Sequence, residues 1–325
     1  MKTFVKNHNR EVGLVAAIIV MFAFFGALNP TYLSPDNLKD ILEQATIYGL
    51  MGIGITGIII SGGIDLSIGS ALALVSVVVA MAAVSGVNYF VCILIGLVLG
   101  FLLGIFNGFL VSKMKLQPFI ATLGSMSIYR GIVYLITGAV PITRIPRDFR
   151  YLVDGEIIPM VRVSLVIFFI YAAIMHVLMK KTRVGNYTYA IGGNEEATRL
   201  SGVRVDIYKI AVYGIGMLGT ALAGIILLGK LGAGDPTAGQ GYEMHAIAAA
   251  AIGGTSMAGG RGSVIGTVVG AILFSGLKVG LIVIRVNTFW QYVATGTVII
   301  VAAYIEILQQ QLKQKKLNSK ILEEA

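Results

Sequence analysis

The sequence is poor in charged residues and almost free of cysteine. Charged residues make up 13% of its 325 residues, against roughly 25% in a soluble domain. The single cysteine, Cys92, cannot form an internal disulfide, and no spacing of Cys and His matches a metal site. We therefore expect no disulfide and no bound metal, and we expect Cys92 to pack as a small buried apolar residue.

Enzyme motifs are also missing. The sequence contains no zinc motif, no nucleophile elbow and no pair of catalytic aspartates. The segment from Gly224 to Leu231 approaches a phosphate-binding loop, but Leu231 stands where that loop needs a Ser or Thr to hold Mg²⁺. We predict that this chain is not an enzyme, has no catalytic residue and binds no nucleotide or other cofactor itself.

Apolar residues and glycine are abundant instead. Hydrophobic residues make up 56% of the chain, and 41 residues are glycine. A soluble core of this length could not bury so much apolar surface, so we expect a lipid bilayer around it. The net charge of +9 comes from basic residues between apolar runs, where membrane topology explains them without nucleic acid. The prediction is an all-α integral membrane protein with one transmembrane domain over residues 1–325.

The apolar stretches predict about ten transmembrane helices, since each span needs roughly 20 mostly apolar residues. The first follows a basic N-terminus and resembles a signal peptide, but it has no clear cleavage site, so we expect an uncleaved span. Glycine pairs and an Asp interrupt the second, third and eighth. The ten stretches are 12–28, 44–62, 66–86, 90–111, 118–138, 163–180, 208–229, 242–258, 263–284 and 289–308.

Lysine and arginine predict the orientation of these spans. With the N-terminus inside, the inner segments carry most of the Lys and Arg residues, as membrane proteins usually show. The basic tail from Gln309 to Ala325 is then also inside, which an even number of spans requires. Four arginines fall in the predicted outer loop 139–162 beside three acidic residues, and we interpret this loop as a small polar external element.

Two stripes of glycine predict close helix packing. Glycines four residues apart share a helix face and let backbones approach each other. Packing within one subunit is the favoured interpretation, and dimer contact is the alternative. The loosely similar segments 61–70 and 253–263, together with the two stripes, predict an internal repeat of two halves. The stripes are Gly96, Gly100, Gly104 and Gly108, then Gly262, Gly266 and Gly270.

Asp65 is the most informative polar residue near the spans. A carboxylate between two apolar runs is costly at membrane depth and is a functional candidate by default. Its alternative role is to cap the next helix by accepting backbone N–H groups. Arg130 and Lys278, in or near other spans, are interpreted as snorkelling to the interface. Glu243 and His245, near the start of the eighth span, either face a substrate path or pack in the core.

The loop 181–207 is the longest polar segment predicted on the inner side. Asn194 is a good N-cap, acidic residues fill the first turn, and Gly202 is a stop signal. The pattern predicts a short polar helix on the cytoplasmic face, which can dock into a partner or serve as an ordinary connector. The residues singled out are Asn194, Glu195, Glu196, Ala197, Arg199 and Gly202.

Several segments, in order along most of the chain, resemble the permease subunits of bacterial ABC sugar importers of the ribose type. The candidate translocation-path signature among them holds Gly62, Gly63, Asp65, Ser67 and Gly69. The segment from Glu196 to Gly202 keeps the Glu-Ala-x-x-x-x-Gly spacing of the wider permease motif, with Thr198 in place of its second Ala. The matching segments are Gly62 to Ser70, Gln117 to Leu123, Ala190 to Gly202, Pro236 to Gly239, and Gly253 to Gly260.

The resemblance implies partners that the composition does not. Cytoplasmic ATPase subunits would hold ATP and Mg²⁺ and act on the loop around Glu196. A periplasmic or lipid-anchored binding protein would deliver the sugar, and a second permease copy or a paralogue would pair with this chain. It also implies a bacterial cytoplasmic (inner) membrane, with both termini in the cytoplasm.

Other functions remain open at the level of the sequence. An ion-coupled secondary transporter would use Asp65 as the carrier of the coupling charge. Importers of branched-chain amino acids or nucleosides have related permeases, and a non-transport scaffold or membrane enzyme is a third class. The sequence does not name the sugar.

Overall fold

The protein is described here by a computed structural model that covers residues 9–301, 304, 308 and 311, with side chains from residue 13 onward. The basic residues at 2 and 6, and most of the tail from Gln309, lie outside these described residues. Its helices are α1 (Asn9–Leu28), α2 (Pro35–Ile60), α3 (Ile68–Val84), α4 (Tyr89–Ser112), α5 (Pro118–Thr137), α6 (Arg147–Asp154), α7 (Val163–Lys181), α8 (Arg183–Gly193), α9 (Glu195–Leu200), α10 (Val205–Leu231), α11 (Tyr242–Ile252), α12 (Val264–Val283) and α13 (Thr288–Val301).

Six of the described helices are long and apolar enough to cross a membrane, namely α2, α4, α5, α7, α10 and α12. Three shorter apolar stretches are Gly13–Leu28 within α1, α3 and α13. The prediction of an all-α membrane protein is confirmed, and the number of ten spans stays a prediction. One strand pair is present in the described chain, β1 (Glu156–Ile158) with β2 (Val161–Arg162), which are antiparallel.

Proline and glycine mark several helix ends. Pro35 and Pro118 stand at the first positions of α2 and α5, where a missing N–H costs nothing. The helix α2 begins nine residues before the predicted span, because its first turns carry charged residues that a hydropathy window rejects. Gly138 and Gly232 end α5 and α10 with positive φ angles of 59° and 66°, which glycine adopts without steric cost.

The long helix α10 lies at the centre and packs on α2, α3 and α4. A Cβ on Gly100 would lie 2.6 Å from the Cβ of Ala221, and one on Gly108 would lie 2.7 Å from the Cα of Ile210. Gly104 leaves as little room, against the backbone of Tyr213. The first stripe therefore brings α4 and α10 into backbone contact within one subunit.

The second stripe lies along α12. Gly266 packs against the carbonyl of Gly253, and Gly270 packs against the carbonyl of Ala249 in α11. Gly262, just before α12, meets the side chain of Ile60 at the end of α2. Both stripes thus serve packing inside this chain.

The eighth predicted span, 242–258, is wrong as a continuous helix. The helix α11 has 11 residues, which is about 16 Å at 1.5 Å per residue, roughly half the thickness of the hydrocarbon core. It ends at Ile252 because Gly253 and Gly254 follow, the latter with φ of +86°. The remaining predicted residues belong to a loop.

Helices α3 and α11 both begin inside the bundle. The hydroxyl of Tyr213, well inside α10, donates to the carbonyl of Ile64 at 3.2 Å, just before α3. Gly69 at the start of α3 packs against Gly239, which lies just before α11. The start of α3, just after loop 61–67, therefore meets loop 232–241 in the interior. The two-half repeat stays a prediction, although segments 61–70 and 253–263 adjoin, with Gly260 N donating to Ile60 O at 2.8 Å.

The loop 139–162 folds into α6 and the β1–β2 hairpin at one end of the bundle, here named the α6 end. Glu43 forms ion pairs with Arg162 (2.8 Å) and Lys230 (2.6 Å), and Arg162 also pairs with Asp154 (2.8 Å). Burial raises the pKa of Asp154, although Ser164 and Arg162 oppose the shift. The opposite end of α10 carries α9 and is named the α9 end.

Candidate functional site

The short helix α9 is built by local capping. The side chain of Asn194 accepts a hydrogen bond from the N–H of Ala197 at 2.9 Å, and so caps the helix N-terminus. Gly202, two residues past the end of the helix, has a φ of +84°. The structure therefore contains the short helix that the sequence predicted, with the cap and the stop at the predicted residues.

Ion pairs tie α9 to two helices of the bundle. Glu195 pairs with Arg199 in the same helix (2.9 Å) and with Lys209 of α10 (2.5 Å). Asp206 of α10 pairs with Lys113 at the end of α4 (3.0 Å) and lies 3.7 Å from Arg199. Burial disfavours ionisation of Glu195, but Lys209 and Arg199 outweigh it and lower its pKa. A displacement of α9 would therefore pull on α4 and α10.

One face of α9 is free for a partner. Glu196, Ala197 and Leu200 are exposed, and the described chain offers Glu196 no hydrogen bond or ion pair. Leu200 is 79% exposed, and the sequence analysis missed it. The available signal was one large apolar residue on an otherwise polar helix, and it is a weak signal because single exposed apolar residues are common on protein surfaces.

Asp65 is fully buried and enclosed by donors. Its Oδ1 accepts from the N–H of Ser67 (2.8 Å) and from the Ser67 hydroxyl (2.7 Å). Its Oδ2 accepts from the Asn107 amide (2.9 Å), and Tyr129 donates to the Asn107 Oδ1 (3.1 Å). Both carboxylate oxygens thus hold the backbone before α3 in place. The geometry favours the structural role of Asp65 over a role in carrying charge.

The signature glycines permit the turns around Asp65. Gly62 has a φ of +80°. A Cβ on Gly63 would lie 2.5 Å from the Tyr213 hydroxyl. Gly69 has no room for a Cβ between the carbonyl of Gly239 and the carboxylate of Glu243. The segment 62–69 is therefore shaped by close backbone packing, with Gly69 at its contact with the second loop.

The snorkelling interpretation of Arg130 is wrong. One guanidinium nitrogen donates to the carbonyls of Pro236 (2.6 Å) and Ala238 (2.9 Å), and the other donates to the carbonyl of Gly69 (3.3 Å). The carbonyls of Pro236 and Ala238 belong to loop 232–241, whereas that of Gly69 lies in the first turn of α3. Loop 61–67 with the start of α3, and loop 232–241 with the start of α11, are called the two broken segments below. Arg130 satisfies these carbonyls because its planar fork presents several donors at once. An arginine inside a predicted span was the signal, because such residues are costly and functional.

Lys278 is also held by a contact within the fold. Its ammonium donates to the Tyr48 hydroxyl at 2.7 Å and lies 5.1 Å from the centre of that ring. The ring of His245 packs 4.8 Å from the Tyr48 ring, and its Nδ1 is buried without a hydrogen-bond partner among the described residues. His245 thus packs in an aromatic cluster, while Glu243, two residues earlier, faces Gly69.

Metal-binding groups are not assembled in the part of the chain that the structure describes. No three His, Cys, Asp or Glu side chains lie close enough there to hold an ion. The structure thus has a short surface helix, α9, held to α10 by ion pairs, and two broken segments in the interior joined by the hydrogen bonds of Arg130.

Known proteins of related sequence cover nearly the whole chain. The model of the family described as branched-chain amino acid transport system / permease component matches residues 37–303. The chain is 40% identical over 301 residues to the ribose import permease protein RbsC of Bacillus subtilis (strain 168), which covers 91% of this chain and 92% of that protein.

Two relatives from Escherichia coli (strain K12) are similar to the chain over the same extent. The ribose import permease protein RbsC is 37% identical over 311 residues, which is 94% of this chain and 97% of the relative. The D-allose transport system permease protein AlsC is 38% identical over 300 residues, 92% of each. No solved structure shows a significant match to the chain.

Proposed function

We propose that this chain, which belongs to the family of branched-chain amino acid transport system permease components, is the membrane-spanning subunit of an ATP-driven importer of monosaccharides. The family description names amino acids, whereas the relatives named above import ribose or allose. The relatives carry more weight for the substrate, because they match over more than nine-tenths of this chain. Ribose and allose are hydroxyl-rich neutral solutes, so the proposed substrate class is a monosaccharide.

The exposed face of α9 is the observation that carries the proposal of an ATPase partner. Glu196 and Leu200 are exposed, while Glu195 and Arg199 hold the same short helix to α10. Asp206 of α10 in turn pairs with Lys113 at the end of α4. A partner that binds this face and moves would transmit force through these ion pairs to the helices around the interior. ATP and Mg²⁺ would be held by that partner.

Alternating access follows from this arrangement. A ligand shifts a conformational equilibrium only by its different affinity for the two states. ATP binding to the partner would supply that difference in affinity. The ion pairs between α9 and α10 would then pass the movement of the partner on to α10 and α4. The α9 end then faces the cytoplasm, in keeping with the basic inner segments. A binding protein would deliver the sugar at the α6 end, and a second permease subunit would complete the membrane unit.

ATP hydrolysis in proteoliposomes tests this proposal. The chain is co-expressed with a candidate ATPase subunit and a candidate binding protein, and hydrolysis is measured with and without sugar-loaded binding protein. We expect loaded binding protein to stimulate hydrolysis in the wild type. Glu196→Ala and Leu200→Ala should abolish most of the stimulation while the complex still assembles. The matched control is Lys180→Ala, which removes an exposed charge at the end of α7, outside both α9 and the α6 end, and should leave stimulation unchanged.

Two results would contradict the proposal. One is a chain that never co-purifies with an ATPase, and the other is normal stimulation in both α9 variants.

A further inference from the structure

A cavity of about 450 Å³ lies where the two broken segments meet α5. Its wall is formed by one face of α5, the start of α3 and the residues that lead into α11. Its volume falls within the roughly 300–1,000 Å³ of small-molecule sites. The lining residues are Ser70, Met126, Ser127, Arg130, Gly131, Tyr134, Gln240, Gly241 and Glu243.

The polar groups of this cavity suit a ligand rich in hydroxyl groups. Glu243 presents a half-buried carboxylate, which accepts hydrogen bonds, and the Gln240 amide both donates and accepts. The Gln240 amide nitrogen donates to the Tyr134 hydroxyl at 3.2 Å, which aligns these two side chains along the wall. Ser127 is exposed in the same cavity. Planar amide and carboxylate groups can each contact two neighbouring hydroxyls of a sugar ring.

The face of α5 that lines the cavity carries a glycine with open space beside it. A Cβ on Gly131 would meet no atom within 4 Å, and the same is true of Gly241 across the cavity. A Cβ on the glycines of α4 and α12, by contrast, would collide with neighbouring backbone or side chains. Gly131 therefore leaves this part of the cavity open, and Gly241, whose φ is +79°, also serves the turn before α11.

Arg130 holds the cavity in shape. Its three hydrogen bonds, to Pro236, Ala238 and Gly69, fix loop 232–241 to the start of α3. The guanidinium N–H groups thus donate to backbone carbonyls. Arg130 is a positioning residue, and Gln240 and Glu243 are left to meet a ligand.

A neighbouring cavity of about 350 Å³ shares Gln240 and Gly241 but differs in character. Phe274, Leu277 and Leu281 contribute an apolar wall to it. Most of its lining surface is apolar, although Lys278, Thr288 and Gln291 also line it. The α5 cavity is the better match to a polar, uncharged ring.

We infer that the α5 cavity binds a monosaccharide during its passage through the bundle, with Gln240 and Glu243 as the residues that contact it. The inference rests on the proposed function for the class of substrate. It adds the place where this chain, as distinct from its binding protein, touches the sugar.

Thiol labelling in proteoliposomes of the assembled complex tests the site. In a Cys92→Ser background, Ser127→Cys places one reactive thiol in the cavity, and a polar maleimide reports its accessibility. We expect millimolar D-ribose or D-allose to slow labelling several-fold, and L-leucine to leave the rate unchanged. Ile128→Cys on the adjacent, exposed side of α5 is the control and should show no effect of sugar.

Transport by side-chain variants provides the second readout. Gln240→Ala and Glu243→Gln should each lower sugar uptake by about tenfold, the loss expected for one good hydrogen bond in a transported complex. Gln291→Ala, an equal change in the wall of the apolar cavity, should leave uptake within twofold. Thermal melting of each purified complex separates a local effect from misfolding.

The outcomes distinguish this inference from the proposed function. Unprotected Ser127→Cys and normal uptake in Gln240→Ala, beside normal stimulation of ATP hydrolysis, overturn the cavity and leave the importer intact. Protection by leucine as strong as that by sugar overturns the monosaccharide class. Protection by sugar without any ATPase stimulation supports the cavity and contradicts the ATP-driven importer.

Discussion

Gly69 and Gly239 pack backbone against backbone, and neither has room for a side chain. A Cβ on Gly239 would lie 2.5 Å from the carbonyl oxygen of Gly69, and a Cβ on Gly69 would collide in turn with the carbonyl of Gly239. This contact joins the two broken segments in the interior of the bundle. It also places the carboxylate of Glu243 beside the start of α3.

Alanine at either glycine should separate the two segments. We expect Gly69→Ala to lower the stability of the protein by roughly 1–3 kcal/mol, the usual cost of overpacking. Gly239→Ala should cost more, because its φ of +73° is also strained for alanine. Thermal melting in detergent measures both. Gly13→Ala in α1, where a Cβ meets open space, should match the wild type; equal melting of all three variants would contradict the packing argument.

The planar guanidinium group of Arg130, and not only its positive charge, should be needed to hold the two broken segments together. Arg130→Lys keeps a cation, but one ammonium cannot reach the carbonyls of Pro236, Ala238 and Gly69 in the same geometry. We expect both Arg130→Lys and Arg130→Gln to lower the melting temperature and reduce sugar uptake several-fold. Arg144→Gln, at an exposed residue of the loop before α6, is the control. Full uptake in Arg130→Lys would show that charge alone suffices.

Asp65 should behave as a structural acceptor. Asp65→Ala leaves the N–H of Ser67 and one N–H of the Asn107 amide without a buried partner, at about 1–3 kcal/mol for each group. The Asn107 amide still donates to the Ser67 hydroxyl at 2.8 Å. Asp65→Asn keeps an acceptor for Ser67 and loses only the one for Asn107, so its loss of stability should be smaller. Both variants should retain ATP-dependent uptake in proportion to the folded fraction. Selective loss of proton-driven uptake in Asp65→Asn, with unchanged melting, is the opposite result.

The ion pair between Glu195 of α9 and Lys209 of α10 should respond to charge reversal. Lys209→Glu places two carboxylates together, and Glu195→Lys places cations together. Each should reduce the coupling of ATP hydrolysis to uptake several-fold. The double variant should recover part of the loss. The stabilising energy involved is at most about 1 kcal/mol, because Glu195 is 39% exposed and solvent screens the pair. No recovery in the double variant would argue against this role of the ion pair.

Much of the fold could be predicted from the sequence because membrane helices obey simple rules of length and hydropathy. The described spans follow the predicted apolar stretches, and the cap at Asn194 and the stop at Gly202 follow from local chemistry. The eighth span failed because the apolar run through Ile252 continues into the loop, and hydropathy does not register the turn at Gly253 and Gly254.

The interior site was harder to predict because its contacts are distant in sequence. Arg130 meets Pro236 and Ala238 more than 100 residues away, and no local pattern encodes such a pairing. Glu243 was identified as a candidate for a substrate path, but Gln240 was missed because a single glutamine before an apolar helix is unremarkable by sequence. The resemblance to ribose-type permeases gave the class of protein and left these residues without roles.

The energy source of uptake tests the central claim most directly. Proteoliposomes that hold this chain, its ATPase and its binding protein are loaded with ATP or left without it, and labelled ribose uptake is followed with and without an imposed proton gradient. The account predicts uptake whenever ATP is present on the α9 side, with no need for the gradient. Uptake that follows the proton gradient in the absence of ATP would contradict it.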